Sequence, residues 1–251
     1  MLLKWAVPAP ALCGGGSRCV HVYLPEDYDE EPDARYPVLY MFDGQNVFLD
    51  EEASFGRSWR MLDYMQFTRT PLIIVAPESC REGNGRLEEY SPFTHREDGI
   101  GLIPGRGRAT MDWLVGTLKP LVDMRLRTLP GRDSTLIAGS SMGGLMSLYA
   151  ACAYNGVFSR AASLSPSLWV SPARVHRMLQ RARIAPDTVL YMDYGEIELG
   201  NHEGMVGAFL AAGQSLYSRG VNLTFRIVPG GTHSEESWET RLPAMMACLG
   251  L

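Results

Sequence analysis

Between Pro71 and Pro77 the chain places five apolar residues in succession, Leu72-Ile73-Ile74-Val75-Ala76. A strand with one wet face alternates polar and apolar side chains, so a run with no polar position is covered on both faces. The segment therefore reads as a central strand of a sheet with helices on either side. Further short β-rich runs fall at 20–24, 38–42, 136–138, 188–194 and 223–228. Longer helical patterns lie between and after them, at 111–127 (with Pro120 as an internal kink), 142–154, 172–183, 203–219 and 237–249. Ser237 is the expected N-cap of the last helix. Strands alternating with helices imply an α/β fold with a mostly parallel sheet. The Gly-, Arg-, Glu- and Pro-rich stretch 78–108 separates segments of the same character, so it reads as a long functional loop and the chain, 1–251, as one domain.

Composition narrows the function classes. With 23 basic and 28 acidic residues the formal charge is −5, which gives no cationic excess to displace counterions from nucleic acid. No run approaches the roughly 18 apolar residues of a membrane span. The start, Met1-Leu2-Leu3-Lys4-Trp5-Ala6-Val7, has neither the basic region nor the apolar length of a signal peptide. Five cysteines, an odd number without any CxxC, read as free thiols (Cys13, Cys19, Cys80, Cys152, Cys248) and imply a cytoplasmic location. The sequence leaves open whether the chain forms a homodimer.

Chemistry concentrates in Leu136-Ile137-Ala138-Gly139-Ser140-Ser141-Met142-Gly143-Gly144-Leu145. Gly139-x-Ser141-x-Gly143 stands between a short apolar strand and a helical run. In that context glycines permit a sharp turn that lifts the serine above the sheet. The helix then begins at the serine, and the Met142 N–H can meet a developing oxyanion. A serine nucleophile needs a base. Among five histidines, His233 in Pro229-Gly230-Gly231-Thr232-His233-Ser234 follows the last strand, on the sheet edge expected for Ser141. The others have plainer readings: His21 as a sheet or surface residue, His95 and His176 as solvated, and His202 as a helix cap. The acid of the order Ser…acid…His falls in Asp193-Tyr194-Gly195-Glu196-Ile197-Glu198. Asp193, Glu196 and Glu198 all remain open there; Asp193 is still in the strand, Glu196 and Glu198 follow the Gly195 turn where a side chain can bend toward the histidine, and Glu198 is favoured. Asp43-Gly44-Gln45-Asn46 ends a strand and can direct the Gln45 N–H toward Ser141. Trp169, Tyr90 and Trp238 are candidate substrate-contacting aromatics, with packing at the bases of their loops as the plainer alternative. HExxH and a P-loop are absent, so no metal or redox cofactor is expected.

Together these segments resemble the putative-esterase branch of the α/β-hydrolases, which includes enterochelin-type, feruloyl and acetylxylan esterases, S-formylglutathione hydrolase and mycolyl transferases. The likeness runs through the segment 36–48, the elbow 139–145, Ser163-Leu164-Ser165-Pro166-Ser167-Leu168-Trp169, and Gly231-Thr232-His233-Ser234-Glu235-Glu236-Ser237-Trp238. It covers nearly the whole chain. It implies an α/β-hydrolase fold without a large cap, Ser141 as nucleophile, His233 as base, and Gln45 and Met142 as oxyanion donors. Gly195-Glu196-Ile197-Glu198 resembles the family's glycine-x-x-acid pattern, with Glu where Asp is commoner. The implied activity is hydrolysis of short-acyl or aromatic-acyl esters of small molecules. An acyltransferase using the same acyl-enzyme, and a non-catalytic binding protein on this fold, are the alternatives.

Overall fold

A computed structural model describes residues 1–200 and 204–251. The strands are β1 (Leu2–Pro8), β2 (Ser17–Tyr23), β3 (Val38–Met41), β4 (Ile73–Pro77), β5 (His95–Glu97), β6 (Gly101–Ile103), β7 (Thr135–Ser140), β8 (Arg160–Leu164), β9 (Val189–Gly195) and β10 (Asn222–Val228). Eight of them form one sheet in the order β1-β2-β4-β3-β7-β8-β9-β10, and β5 pairs with β6 as a small separate hairpin. β2 is antiparallel to both its neighbours, while β4 through β10 along the sheet run parallel. This is the mostly parallel α/β sheet that the alternating pattern implies. All five parallel connections end their strands on one edge, which is where such sheets carry their ligand sites.

Helices α1 (Met61–Thr68), α2 (Gly85–Glu89), α3 (Gly107–Trp113), α4 (Lys119–Arg125), α5 (Met142–Ala153), α6 (Pro172–Arg181), α7 (Met205–Tyr217), α8 (Glu235–Glu239) and α9 (Leu242–Leu249) flank the sheet. The wholly apolar β4 shows why both faces are needed. Ile73 and Val75 enter the core shared with α3 to α7, whereas Ile74 and Ala76 enter the opposite core with Met61, Met65, Met245 and Leu249. Adjacent residues of a strand point to opposite faces, so an unbroken apolar run fills two cores at once.

Several elements differ from the sequence expectation, each for a physical reason. The helix expected over 111–127 is α3 and α4 joined by a π-helical turn at Leu114–Leu118. Pro120 has no N–H to donate back along the helix, and the backbone widens just before it. The helix expected from Ser237 is two, α8 and α9, because Pro243 sits in the first turn of α9 and restarts the helix. Its cap is Ser234, whose Oγ accepts from the Ser237 N–H at 3.3 Å; Ser237 lies inside the helix. β8 carries no strand pattern of its own in the sequence, because Ala161, Ala162 and Ser163 have little strand propensity. Their small side chains let α5 lie close, with Ser163 Oγ donating to the Gly144 carbonyl at 2.8 Å. The stretch 78–108 is ordered by α2 and the β5–β6 hairpin. The start of the helix expected at 203 and the capping role of His202 lie outside the described residues.

The all-thiol reading of the cysteines is corrected. Cys13 and Cys80 form a disulfide across 67 residues of sequence; Cys19, Cys152 and Cys248 are free. Pairing of β2 with β4 carries the turn before β2 and the segment after β4 to the same place. The buried Glu89 then joins them, accepting from Cys13 N at 2.8 Å, Cys80 N at 3.2 Å and Arg18 Nη2 at 2.5 Å. Disulfides persist chiefly in oxidising compartments, which removes the cysteine argument for a cytoplasmic location. Among the described residues no helix is long and apolar enough to cross a membrane.

Candidate active site

Ser141 stands between β7 and α5 with φ 57° and ψ −121°, outside the regions that L-residues favour. The sharp turn brings β7 and the first helical turn into contact. A Cβ on Gly139 would lie 2.7 Å from the Gly143 backbone, and one on Gly143 would lie 2.9 Å from Phe42 Cβ. The conformation is held by Ser141 N–H donating to the Leu164 carbonyl (3.0 Å) and Ser167 N–H donating to the Ser141 carbonyl (3.1 Å). Strained backbone of this kind persists only where neighbours over-determine it.

His233, on the loop between β10 and α8, places Nε2 2.9 Å from Ser141 Oγ and Nδ1 2.5 Å from Glu198 Oε2. A carboxylate only accepts, so Nδ1 is the donor toward Glu198; Nε2 of a neutral ring then accepts from the serine hydroxyl. Of the three candidate acids, Glu198 is the one that meets His233. Glu196 is exposed and accepts from Gly230 N–H at 3.0 Å. Asp193 is fully buried and bonded to Tyr191 Oη (2.6 Å) and Arg241 Nη1 (3.1 Å). The 3₁₀ turn Ile197–Gly200 brings the Glu198 carboxylate back under the loop.

The ring of donors around Glu198 is dense. Its Oε1 accepts from Ser165 Oγ (2.5 Å), Gly195 N (2.6 Å) and Arg241 Nη2 (3.3 Å). Burial pushes the Glu198 carboxyl upward, but hydrogen bonds from His233, Ser165 and Gly195 outweigh it and hold the group below the usual glutamate range. Asp193 goes the other way: burial raises it, and Arg241 offsets only part of that rise. Ser165 Oγ is a hub, donating to Glu198 and accepting from Trp238 Nε1 (3.1 Å) and Arg241 Nη1 (2.9 Å).

Arg241 and Ser165 carry no signal in the sequence; Arg86, which the sequence offers with Arg81 as a contact for an anionic substrate, is instead bonded to Asp43. Arg241 is 2% exposed and its guanidinium lies between the two buried carboxylates of Asp193 and Glu198. Its removal leaves both acids without their cation. Arg241→Met is expected to destabilise the protein by about 3–5 kcal/mol, the range for breaking a buried ion pair. Urea unfolding at neutral pH measures it; a loss below 1 kcal/mol would mean that solvent already screens the pair.

Across the cleft, Asp43 adopts φ 59° and starts the turn Gly44–Asn46. The first intrahelical bond runs from Asn46 N to the Asp43 carbonyl (2.7 Å), so the Gln45 N–H precedes the bonded part of the turn. Met142 N–H, at the first position of α5, is placed likewise. The Gln45 side chain is fixed by Ser79, donating from Nε2 to Ser79 Oγ (2.9 Å) and accepting from Ser79 N (3.2 Å). Arg86 clamps Asp43 with two bonds, of 2.7 and 2.8 Å. Tyr90 Oη accepts from Asp43 N at 3.1 Å.

A cleft of about 410 Å³ joins these groups, lined by Phe42, Phe55, Trp59, Trp238, Gln45, Asn46, Arg86, Glu235, Ser141 and His233. Of the three expected substrate aromatics only Trp238 lines it, its ring 5.0 Å from that of His233 and 6.0 Å from Trp59. Tyr90 is fully buried beneath the cleft, packed on Phe42 and supporting Asp43; it is a structural residue of the turn. Trp169 packs on His95 outside the cleft lining. His95 itself is buried there, not solvated as expected, and His21 is fully buried; His176 is exposed. Glu235 accepts from Asn46 Nδ2 at 3.1 Å, and burial raises its carboxyl above the usual range.

A family model described as "Putative esterase" matches residues 14–249. The chain belongs to that family. The esterase Rv1288 of Mycobacterium tuberculosis is 32% identical over 148 residues, covering 58% of this chain. An uncharacterized Bacillus subtilis protein, YbbA, is 25% identical over 160 residues, 63% of this chain. The matched segments span 28% and 60% of those relatives' lengths. Among solved structures, an IroE-like serine hydrolase from Shewanella oneidensis superposes with a TM-score of 0.80 at 21% identity, covering 98% of this chain and 79% of that one. A ferulic acid esterase gives 0.73 at 17%, covering 100% and 98%. The enterobactin esterase of Shigella flexneri, in the presence of enterobactin, gives 0.74 at 18%, covering 100% of this chain and 58% of that one. At these identities the structural likeness speaks for the α/β-hydrolase-type fold.

Proposed function

We propose that this protein is a carboxylic ester hydrolase in which Ser141 is the nucleophile, His233 the general base and Glu198 the orienting acid. The observation that carries the reading is the unbroken relay from Ser141 Oγ through both His233 nitrogens to Glu198, at 2.9 and 2.5 Å, opening into a cleft. Ser141 Oγ attacks the ester carbonyl while His233 Nε2 takes its proton. Glu198 stabilises the imidazolium so formed. The carbonyl oxygen, now negative, accepts from the backbone N–H groups of Gln45 and Met142. His233 returns the proton to the leaving alcohol. Water then repeats the sequence on the acyl-Ser141 ester, and the acid is released.

The substrate reading is a short-acyl or aromatic-acyl ester of a small molecule. Phe42, Phe55, Trp59 and Trp238 give the cleft flat aromatic walls beside Ser141. A planar acyl group stacks favourably on such walls. Structural neighbours described as a ferulic acid esterase, a siderophore hydrolase and an enterobactin esterase are in keeping with this reading.

The test is hydrolysis of p-nitrophenyl esters from acetate to decanoate beside a feruloyl ester. Turnover is expected on acetate and on the feruloyl ester, falling as the alkyl chain lengthens. Rates that rise toward decanoate would overturn the substrate assignment, and no turnover on any ester by folded protein would overturn the hydrolase. Product analysis with an added acceptor alcohol separates hydrolysis from acyl transfer: free acid is expected as the main product.

A further inference from the structure

At the same edge of the sheet, away from the cleft lining, β2 and the segment after β4 bring Cys19, His21 and Glu78 together. Cys19 and His21 are two residues apart on one face of β2. Glu78 is drawn alongside by its N–H donating to the Cys19 carbonyl at 2.9 Å. His21 is fully buried, with Nε2 2.9 Å from Glu78 Oε1 and 4.0 Å from Cys19 Sγ. Its other nitrogen, Nδ1, is 3.4 Å from Glu52 Oε2 and makes no hydrogen bond. The one sulfur, one ring nitrogen and one carboxylate oxygen lie within 4.8 Å of one another.

We propose that Cys19 Sγ, His21 Nε2 and the Glu78 carboxylate bind a zinc-type divalent cation, with Glu52 as the carboxylate behind the imidazole. The donor inventory leads there. Both nitrogens of His21 face carboxylate oxygens, which only accept, while a neutral ring has a single N–H. With a cation on Nε2, the remaining proton belongs on Nδ1 and points at Glu52. Metal-bound histidines characteristically hold their second nitrogen in this way.

The spacing fits as well. Tetrahedral zinc with ordinary bond lengths separates N from S by about 3.6 Å and N from O by about 3.3 Å. The distances present are 4.0 and 2.9 Å, each within a few tenths of an ångström of those values, and the sulfur and carboxylate oxygen lie within 4.8 Å of each other. Thiolate, imidazole and carboxylate together match a borderline-soft ion better than calcium or magnesium. Two cations border the group. Lys4 pairs with Glu52, and Arg81 lies 3.3 Å from Glu78 Oε2, which leaves Glu78 Oε1 to the site. Glu52 and Glu78 keep 22% and 20% of their side chains exposed, and Cys19 is half-buried, so an ion and a fourth, water ligand have a way in.

The site takes no part in the ester chemistry. It would clip β2 to the end of β4, next to Ser79, which holds Gln45. The experiment starts from chelator-treated, full-length protein. Cobalt(II) is expected to give a thiolate-to-metal charge-transfer band, and zinc titration by calorimetry one site per chain. Cys19→Ser should abolish the band, and Glu52→Gln should weaken zinc binding about 10- to 100-fold. Cys248→Ser, at another free thiol, should change neither. Glu78→Gln, checked for an unaltered fold by circular dichroism, gives a second ligand test that spares the sulfur: zinc should no longer raise its Tm. Absence of a band and of a zinc-dependent rise in Tm in the unmodified protein would overturn the proposal and leave His21 as a buried structural partner of Glu78. Binding undiminished by Cys19→Ser and Glu78→Gln would place the ion elsewhere and also overturn it.

Discussion

Replacing Ser141 with alanine is expected to lower kcat on an activated ester by about 10⁴- to 10⁶-fold, the scale seen when a triad nucleophile is removed. In the proposed mechanism the substitution removes the oxygen that forms the acyl-enzyme. It leaves the cleft walls, the Gln45 and Met142 N–H groups and the His233–Glu198 pair in place. Some rate above the uncatalysed reaction therefore survives from binding and oxyanion stabilisation. Folding should be nearly indifferent. Among the described residues the hydrogen bonds of Ser141 Oγ go to His233 and, at 3.4 Å, to Ser167, and His233 is partly exposed and can turn to solvent. Alanine meets the same strained φ and ψ as serine. Steady-state turnover beside the thermal midpoint separates the two effects: activity lost at unchanged Tm is the expected result. Retained turnover would move the nucleophile to another residue, and a collapsed midpoint would make the activity loss uninformative about chemistry.

How readily each part of this site could be read from the sequence follows the range of the interactions that build it. The elbow is local: Gly139, Ser141 and Gly143 lie within five residues, and the close approach that excludes side chains at both glycines is between immediate neighbours. The central sheet is nearly as legible, because strands such as β4 announce burial on both faces by composition alone. His233 needed one further step, the rule that strand ends of a parallel sheet share an edge.

The supporting shell follows no such rule. Arg241 reaches back from between α8 and α9 to Ser165, Asp193 and Glu198, across 76, 48 and 43 residues of sequence. No periodicity or motif ties those positions together. Tyr90 was ambiguous for a related reason: a tyrosine in a polar loop suits a substrate contact and packing at the loop base equally well. Yet α2 folds it inward, and its hydroxyl meets the Asp43 N–H. The cysteines misled because count and spacing carry no information on which strands pair. Once β2 lies beside β4, Cys13 and Cys80 are neighbours.

Glu198→Gln carries the second large expectation, a fall in kcat of about 10³- to 10⁴-fold, because the wrong histidine tautomer is as damaging as a missing base. The cause lies in the four donors around the carboxylate. Three of them, from Ser165, Gly195 and Arg241, converge on Oε1, and His233 Nδ1–H meets Oε2. A glutamine has one accepting oxygen and one donating nitrogen. Turning its oxygen to the three donors puts the amide N–H against His233 Nδ1, which must then accept. The ring proton moves to Nε2, and Nε2 can no longer take the proton of Ser141. Glu196→Gln, which alters only an exposed bond to Gly230, should leave kcat within about twofold of the parent, in line with the small effects of surface substitutions. The variant also has a signature in acid. The folded Glu198 carboxyl sits below its unfolded range, near 4.3, so its stabilising contribution is complete above that range and is lost as pH falls through the depressed folded value. The stability gap between parent and Glu198→Gln should thus be widest above about pH 5 and narrow in stronger acid. Urea midpoints at several pH values read that gap. A gap that grows on acidification, or an equal loss of turnover in Glu196→Gln, would take the role of acid away from Glu198.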